Sequence, residues 1–562
     1  MQLKKILAGI LIITISTFFS SCKKLLNPDP ANIYTDARFV NDPAFAEGIL
    51  LNAYIPLPLN YTFDETATDD AVSNLTTSNY TRMANGEWSS QFDPMSSWSV
   101  AYKALHYINY FLSIVDKVNW SLIHPEKNKY FNQRFRGEAH GMRAWWNFEL
   151  LKRHGGKASD GNLLGMILLD KPLDINSDWG TLKRSSYDSC VQMIYDDIDS
   201  ALTLLPLDYI KTPDPDYTSV FTSDNKGRMS GRILKAFKSR VALHVASQAF
   251  GSTLVKWETA ADVAASSLAD IGGLAGLSAT GRKWYLSLTD PDIIWRSAVQ
   301  SINTWEQDNF PPSLFGNGRT NPSQNLVDAF PALNGFPITD AASSYDSQNP
   351  YASRDPRLTD YIVYSGNTIG SHVINTNTED ATNGINQTTL STRTGYYLKK
   401  LLNPNVNLAP NVHSTQQHFY TRMRYTEIFL NYAEAANEAW GPDADPHGYG
   451  FTPTSIIAAI RKRGGLAQPD VYLSTITTQA AMRDLIRNER RIELCFEGFR
   501  FWDLRRWNLD LTEKAKGMQI TNNIPSVIDV ENRVYGPYMK FGPIPYNDLL
   551  KDKQIIQNEG WQ

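Results

Sequence analysis

The chain has 562 residues, a formal net charge of −4 and 42% hydrophobic residues. A near-neutral charge lacks the basic surface that nucleic-acid binding demands, and the plentiful apolar and aromatic residues exclude general disorder. Length alone would fit three or four domains, but the distribution of elements along the chain argues for fewer.

Lys4 and Lys5 precede an apolar run from Ile6 to Phe19. It is too short to cross a bilayer comfortably and has the length of a signal-peptide core. The following Phe19-Ser20-Ser21-Cys22 resembles a bacterial lipobox, with Phe19 where Leu is usual and Ser21 where Gly or Ala is usual. The expectation is a signal peptide over 1–21, a lipidated Cys22 and a tether over 22–30. An ordinary secretory leader with an incidental cysteine is the alternative. Later stretches do not approach a membrane span, so residues 31–562 are expected to form a soluble body held on a membrane by its N-terminus. The other two cysteines, Cys190 and Cys495, form no C-x-x-C motif. They either pair with each other or serve as small buried hydrophobes.

Helical patterns dominate the body. From Phe131, the residues Phe135, Ala139, Met142, Trp146 and Leu150 recur at steps of three or four, one stripe of an amphipathic helix. Its basic end and Gly155-Gly156 read as a stop. Comparable patterns predict helices over about Trp98–Val118, Tyr187–Leu205, Ser230–Phe250, Met423–Trp440, Ser455–Arg463 (with Thr454 as cap) and Thr478–Phe496. Small residues such as Ala433, Ala435 and Ala436 suggest close helix pairs of tetratricopeptide-like type. Residues 275–420, by contrast, are rich in Asn, Ser, Thr, Gly and Pro, with interspersed aromatics that argue for ordered, functional loops. The predicted fold is therefore mostly α. A helix-pair scaffold over about 31–270 and 420–510 carries a loop-rich region over 275–420, a C-terminal extended segment over 511–562 and few short strands.

Catalytic and metal signatures fail one by one. The nine histidines are dispersed, without His-Glu-x-x-His. Gly227-Arg-Met-Ser-Gly231 places its serine one position late for a nucleophile elbow. Asp443-x-Asp445 with Gly448 lacks the twelfth-position Glu of a calcium loop, having Thr454 there. Glu489, Glu493 and Glu497 would lie along one helix face, where like charges repel unless compensated. Nearby arginines make an ion-pair network the preferred reading over a glycosidase pair. Asp69-Asp70 would point to opposite sides if extended. Neither catalytic nor metal-binding residues are assigned, and no cofactor is expected.

The stretch from Arg487 to Trp507 reads E-R-x-x-E-L-x-F-E-G-x-R-x-x-D-L-x-R-W from Glu489 on. It resembles the signature of the SusD/RagB family. Other pieces agree in order: Trp98, Tyr102 and Asn109; Glu138-Ala-His-Gly-Met-Arg143-Ala144, with Met142 for Leu; Gln324-Asn-Leu-Val-Asp328; and Arg354-Asp-Pro-Arg-Leu358. Further on come Arg424-Tyr-Thr-Glu427, Asn431-Tyr-Ala-Glu434, Pro543-Ile-Pro545 and Gln557-Asn-Glu-Gly-Trp561, with Glu559 where Pro is common. The resemblance implies four helix pairs with an irregular ligand-bearing region and a non-enzymatic, surface-exposed outer-membrane lipoprotein. It also implies a SusC-like TonB-dependent transporter as partner, to which captured glycans, or alternatively peptides or another nutrient, are delivered. Lys23-Lys24 after Cys22 departs from the acidic residues of the usual surface-export signal. Glu489, Glu493, Glu497, Arg500, Asp503 and Arg506 are expected to be structural, with Glu497, Arg500 and Asp503 holding the turn after a helix. A hydrolase on an unrecognised site is the remaining class.

Sugar capture needs aromatic platforms for the apolar ring faces and a few hydrogen-bonding side chains for the hydroxyls. Aromatics that sit in polar surroundings without helical period are the candidates. They place the ligand site at Tyr80, Arg82, Trp88, Trp305, Phe310 and Phe315.

Overall fold

A computed structural model describes residues 40–173, 177 and 179–561. The expected signal peptide, Cys22 and the 22–30 tether lie outside the described residues. Ten helices of seven residues or more occur among the described residues. They are α1 Pro43–Leu51, α2 Trp98–Ile114, α3 Pro125–His154, α4 Tyr187–Leu204, α5 Gly231–Ala246, α6 Trp257–Ala269, α7 Tyr425–Trp440, α8 Pro453–Gly464, α9 Gln479–Glu493 and α10 Arg500–Arg506.

The long helices pack in sequence: α2 on α3, α3 on α4, α4 on α5, α5 on α6, α6 on α7, and α7 on both α8 and α9. This is the paired-helix scaffold expected from the sequence. Helix α3 begins six residues earlier than its apolar stripe, because Pro125 sits at the helix start, where a missing N–H costs nothing. Helix α6 was not expected. Its buried residues are mainly Ala260, Ala261, Ala264 and Ala265, facing a partner that buries Ala433, Ala435 and Ala436. Small side chains on both sides let the two backbones approach closely.

That contact organises the molecule. The chain leaves the scaffold after Ala269 and, some 150 residues later, returns at Tyr425 to pack against the helix it left. The intervening stretch carries short helices and strands and builds its own core around Trp284, Phe330, Tyr361, Tyr396, Tyr397 and Phe419. Strands pair two at a time, always antiparallel. Ala71–Ser73 lies against Thr320–Pro322, Ile293–Arg296 against Thr421–Arg424, and Gln300–Ile302 against Gln416–His418. The C-terminal segment is more than extended chain: Ala515–Thr521 and Ile524–Glu531 form a hairpin, and Tyr546–Lys551 is helical.

The cap of α8 is Thr452, not Thr454. Thr452 accepts a hydrogen bond from the Ser455 backbone N–H, and the Ser455 hydroxyl accepts one from the Thr452 N–H. Pro453 then occupies the first helical position, so a cap at Thr454 would waste the best start in the segment. Cys190 and Cys495 are both free and buried.

Helix α9 pins the inserted region to the scaffold through its acidic face. Arg357, from the insert, reaches Glu489 at 2.9 Å and Glu493 at 3.1 Å. Arg461 and Arg463 of α8 hold the same two acids at 2.9 and 2.5 Å. Glu497, just past the helix, receives Lys400 at 2.7 Å and Arg424 at 2.8 Å, and Arg424 also holds Asp292. Nearly all of these side chains are buried. Gly464 makes the approach feasible, since a Cβ there would stand 2.8 Å from the Arg357 Nε.

Burial alone would raise the Glu493 carboxyl, but Arg463, Arg357, Arg424 and Lys400 outweigh it and hold the group at about 2, against an ordinary 4.5. A carboxyl held down in the fold gives stability that is present above its unfolded value and lost as pH falls through its folded value. Urea unfolding between pH 4.5 and about 2 should therefore show a steeper loss of stability in the natural protein than in Glu493→Gln. At neutral pH, Arg357→Ala leaves the buried Asp355 without its guanidinium and takes one cation each from Glu489 and Glu493, and is expected to cost about 3–5 kcal/mol by the same measurement.

Candidate functional site

The six residues expected to form a ligand site do not converge. Trp88 is 4% exposed and packs edge-on against Trp561, Phe501 and Tyr535, with its indole N–H donated to Asp93. Trp305 is 6% exposed, stacks on His418 at 4.7 Å and donates to the Asn60 side chain. Phe310 is buried beside it in the core of the insert. A long insertion with few helices must build its own apolar interior, and these loop aromatics supply it. Tyr80 is half-buried and lines an inner cleft, while Arg82 pairs with Glu87 and lies over the Phe92 ring.

Phe315 is different. It is 57% exposed, the one open aromatic ring among the six. Its backbone is left-handed, at φ 63°, an unusual conformation for a bulky residue that marks a tightly determined loop. The determinants are visible. Gly316 admits no side chain, because a Cβ would fall 2.2 Å from the Phe310 carbonyl oxygen. The N–H groups of Asn317, Gly318 and Arg319 donate to the carbonyls of Gln307, Phe310 and Asp308 at 2.8–3.0 Å. The loop then enters the strand Thr320–Pro322, whose partner Ala71–Ser73 runs into Asn74 and the exposed Leu75.

Asn74 ties the two loops together. Its amide donates to the Asn317 and Leu390 carbonyls at 2.8 and 2.9 Å, and its oxygen accepts from Arg319. Arg393 closes the far side, donating to the Ser73 carbonyl and to Glu531 of the hairpin at 2.6 Å. The result is a tightly held surface with the open Phe315 ring on one loop and the exposed Leu75 on the loop that Asn74 ties to it, with Arg319 at the junction. Such a surface can stack the apolar face of a ring and hydrogen-bond its polar edge. Sequence reasoning reached Phe315 but missed Asn74, Leu75, Asn317 and Arg319, because nothing local distinguishes a loop asparagine that fixes a platform from any other.

The signature acids are fully engaged in ion pairs. Asp503 bonds Arg490 and Arg506 locally at 2.8 and 2.7 Å, and Arg506 also reaches Glu434. Glu497 and Arg500 reach out of the turn instead, Arg500 to Asp69 at 2.7 Å. Asp69 and Asp70, expected to diverge, both meet Arg491, at 2.8 and 2.5 Å. Burial opposes the charge on Asp69, but Arg491 and Arg500 hold its carboxyl well below the usual range. Phe496, Phe501 and Trp507 fill space between elements, whereas Trp502 is partly open and lines the inner cleft. Among the described residues no group of three or more His, Cys, Asp or Glu could hold a metal ion.

Residues 291–561 match the SusD family, and residues 46–222 match a second SusD-like family described as starch-binding and associating with the outer membrane. A SusD-like protein P2 from Formosa agariphila is 27% identical over 143 residues, a match that spans a quarter of this chain and a quarter of that protein. Among solved structures, a SusD-like protein from Bacteroides fragilis superposes with a TM-score of 0.72 at 23% identity, covering 94% of this chain and 99% of that one. A SusD-like carbohydrate-binding protein from the same species gives 0.70 at 19% identity, covering 92% and 99%. The chain belongs to the SusD/RagB family. The second family's description places its members in association with the outer membrane.

The burial contrast is measurable. Trp88→Ala is expected to lose about 3–5 kcal/mol in chemical denaturation, as buried aromatic truncations do. Phe315→Ala, at an exposed position, should stay within about 0.5 kcal/mol of the natural protein.

Proposed function

We propose that this protein is a lipoprotein anchored through Cys22 at the outer-membrane surface, where it captures glycans and hands them to a SusC-like TonB-dependent transporter. The observation that carries the glycan reading is the Phe315 platform: an open ring on a pinned loop, flanked by Asn74, Asn317 and Arg319. Stacking on such a ring removes apolar area from water at about 25 cal/mol per Å², and Asn74, its amide spent on the Asn317 and Leu390 carbonyls, holds the loop in place for it. The family's outer-membrane association and the carbohydrate binding named for one Bacteroides fragilis relative support the same reading. The lipobox resemblance at Phe19–Cys22 supports the anchor.

Affinity electrophoresis of the purified chain against a panel of soluble polysaccharides and peptides tests it. Retention by a glycan class, with the sugar recovered uncut, is the expected result. Phe315→Ala should weaken that retention by about tenfold or more, equivalent to 1.4 kcal/mol. Retention by peptides alone would replace the glycan reading with peptide capture.

A further inference from the structure

A second cavity, away from the Phe315 platform, lies where the signature turn meets α3 and the loop Pro56–Asp64. Its volume is about 340 Å³, and it opens past the exposed Pro58, Thr62 and Val100. One wall is the partly open Trp502 ring, with Lys152 and Arg153 at 5.0 and 5.3 Å from its centre. These two cations share a single carboxylate, Glu149, at 2.9 and 2.7 Å.

The opposite wall carries a less usual group. Arg422 is 8% exposed, yet no carboxylate among the described residues lies within ion-pair distance of it. Its one hydrogen bond goes to the Pro58 carbonyl at 2.8 Å, and its Nε has no partner. Three other buried arginines without an acid are compensated differently, Arg505 by the Met539 and Phe501 carbonyls and three aromatic rings. Arg184 donates to five acceptors and Arg354 to three carbonyls. A buried cation normally has a partner, because leaving water uncompensated is costly. Arg422 has one hydrogen bond, the Trp295 ring at 5.1 Å and no counter-charge, in a cavity where Lys152 and Arg153 face two acids, Glu149 and Asp64.

We infer that this cavity binds an anionic sugar residue, its carboxylate or sulfate meeting Arg422 and Lys152 and its ring lying against Trp502. The volume is within the range of small-ligand pockets. Burial draws the Lys152 ammonium down to about 8 despite Glu149, so an added anion would relieve a strained charge. The ligand class rests on the glycan-capture reading, but the site does not depend on Phe315.

Calorimetric titration of the full chain with glucuronate, glucose 6-sulfate, glucose and inorganic sulfate tests this. Saturable binding of the acidic sugars, at least about tenfold tighter than glucose or sulfate, is expected. Arg422→Met should abolish that preference while leaving the empty protein as stable as before or more so, since it replaces an unpaired buried charge by an apolar side chain. Equal binding of glucose and glucuronate overturns the inference, as does an Arg422→Met protein that binds acids normally. Inorganic sulfate binding as tightly as the acidic sugars removes the sugar from it. Polysaccharide retention without acid-sugar binding sinks this site and spares glycan capture. Acid-sugar binding lost in Arg422→Met but kept in Phe315→Ala separates the two sites in the other direction.

Discussion

Everything outside the helical scaffold depends on one row of carboxylates. Glu489 and Glu493 on α9, with Glu497 just beyond it, stand on a single face that is buried, not solvated. Left alone they would repel each other and could not leave water. Five cations from three separate parts of the chain, Arg357, Lys400, Arg424, Arg461 and Arg463, converge on them. The cations come from separate parts of the chain and meet on this one row, so the row acts as a template. The insert must dock in the register that brings Arg357 and Lys400 to their acids.

Ionic anchoring of this kind gives geometry more than net stability, because desolvation offsets much of the Coulombic gain. An apolar seam of the same area would tolerate sliding, whereas guanidinium–carboxylate pairs fix direction as well as distance. The consequence reaches the surface. The strand Ala71–Ser73, which leads into Asn74 and pairs with the strand after the Phe315 loop, is held through Asp69 and Asp70 to Arg491 and Arg500. A platform with one open ring has little use if it wanders, and the ion network supplies the rigidity that short two-stranded sheets cannot.

The scaffold was largely legible because its helices carry large apolar residues at regular spacing, as in α3 and α9. Helix α6 escaped notice because its buried face is alanine, which gives almost no hydrophobic contrast. The cap of α8 was misread by two residues because Thr454 and Thr452 are both acceptable in composition, and only the proline between them discriminates. The signature was read as an ion network, but not its reach: partners more than four hundred positions away, such as Asp69 for Arg500, leave no trace in local spacing. The loop aromatics show the same limit. Trp88, Trp305 and Phe315 look alike in sequence, and what separates two core residues from an open platform is the tertiary packing of elements distant in the chain.

Helices α6 and α7 touch although some 150 residues intervene between them. The scaffold is therefore continuous across the gap, and the insert is a long excursion from a frame that closes beneath it. Mechanically this resembles a socket. Its ionic anchors are positional: Arg357, Lys400 and the Arg424 that leads back into α7. Between those fixed points the sequence is free to lengthen, shorten or exchange its loops without re-registering a single scaffold helix. A lineage with this architecture can change what its surface presents by rewriting loops alone, while the helical frame stays constant.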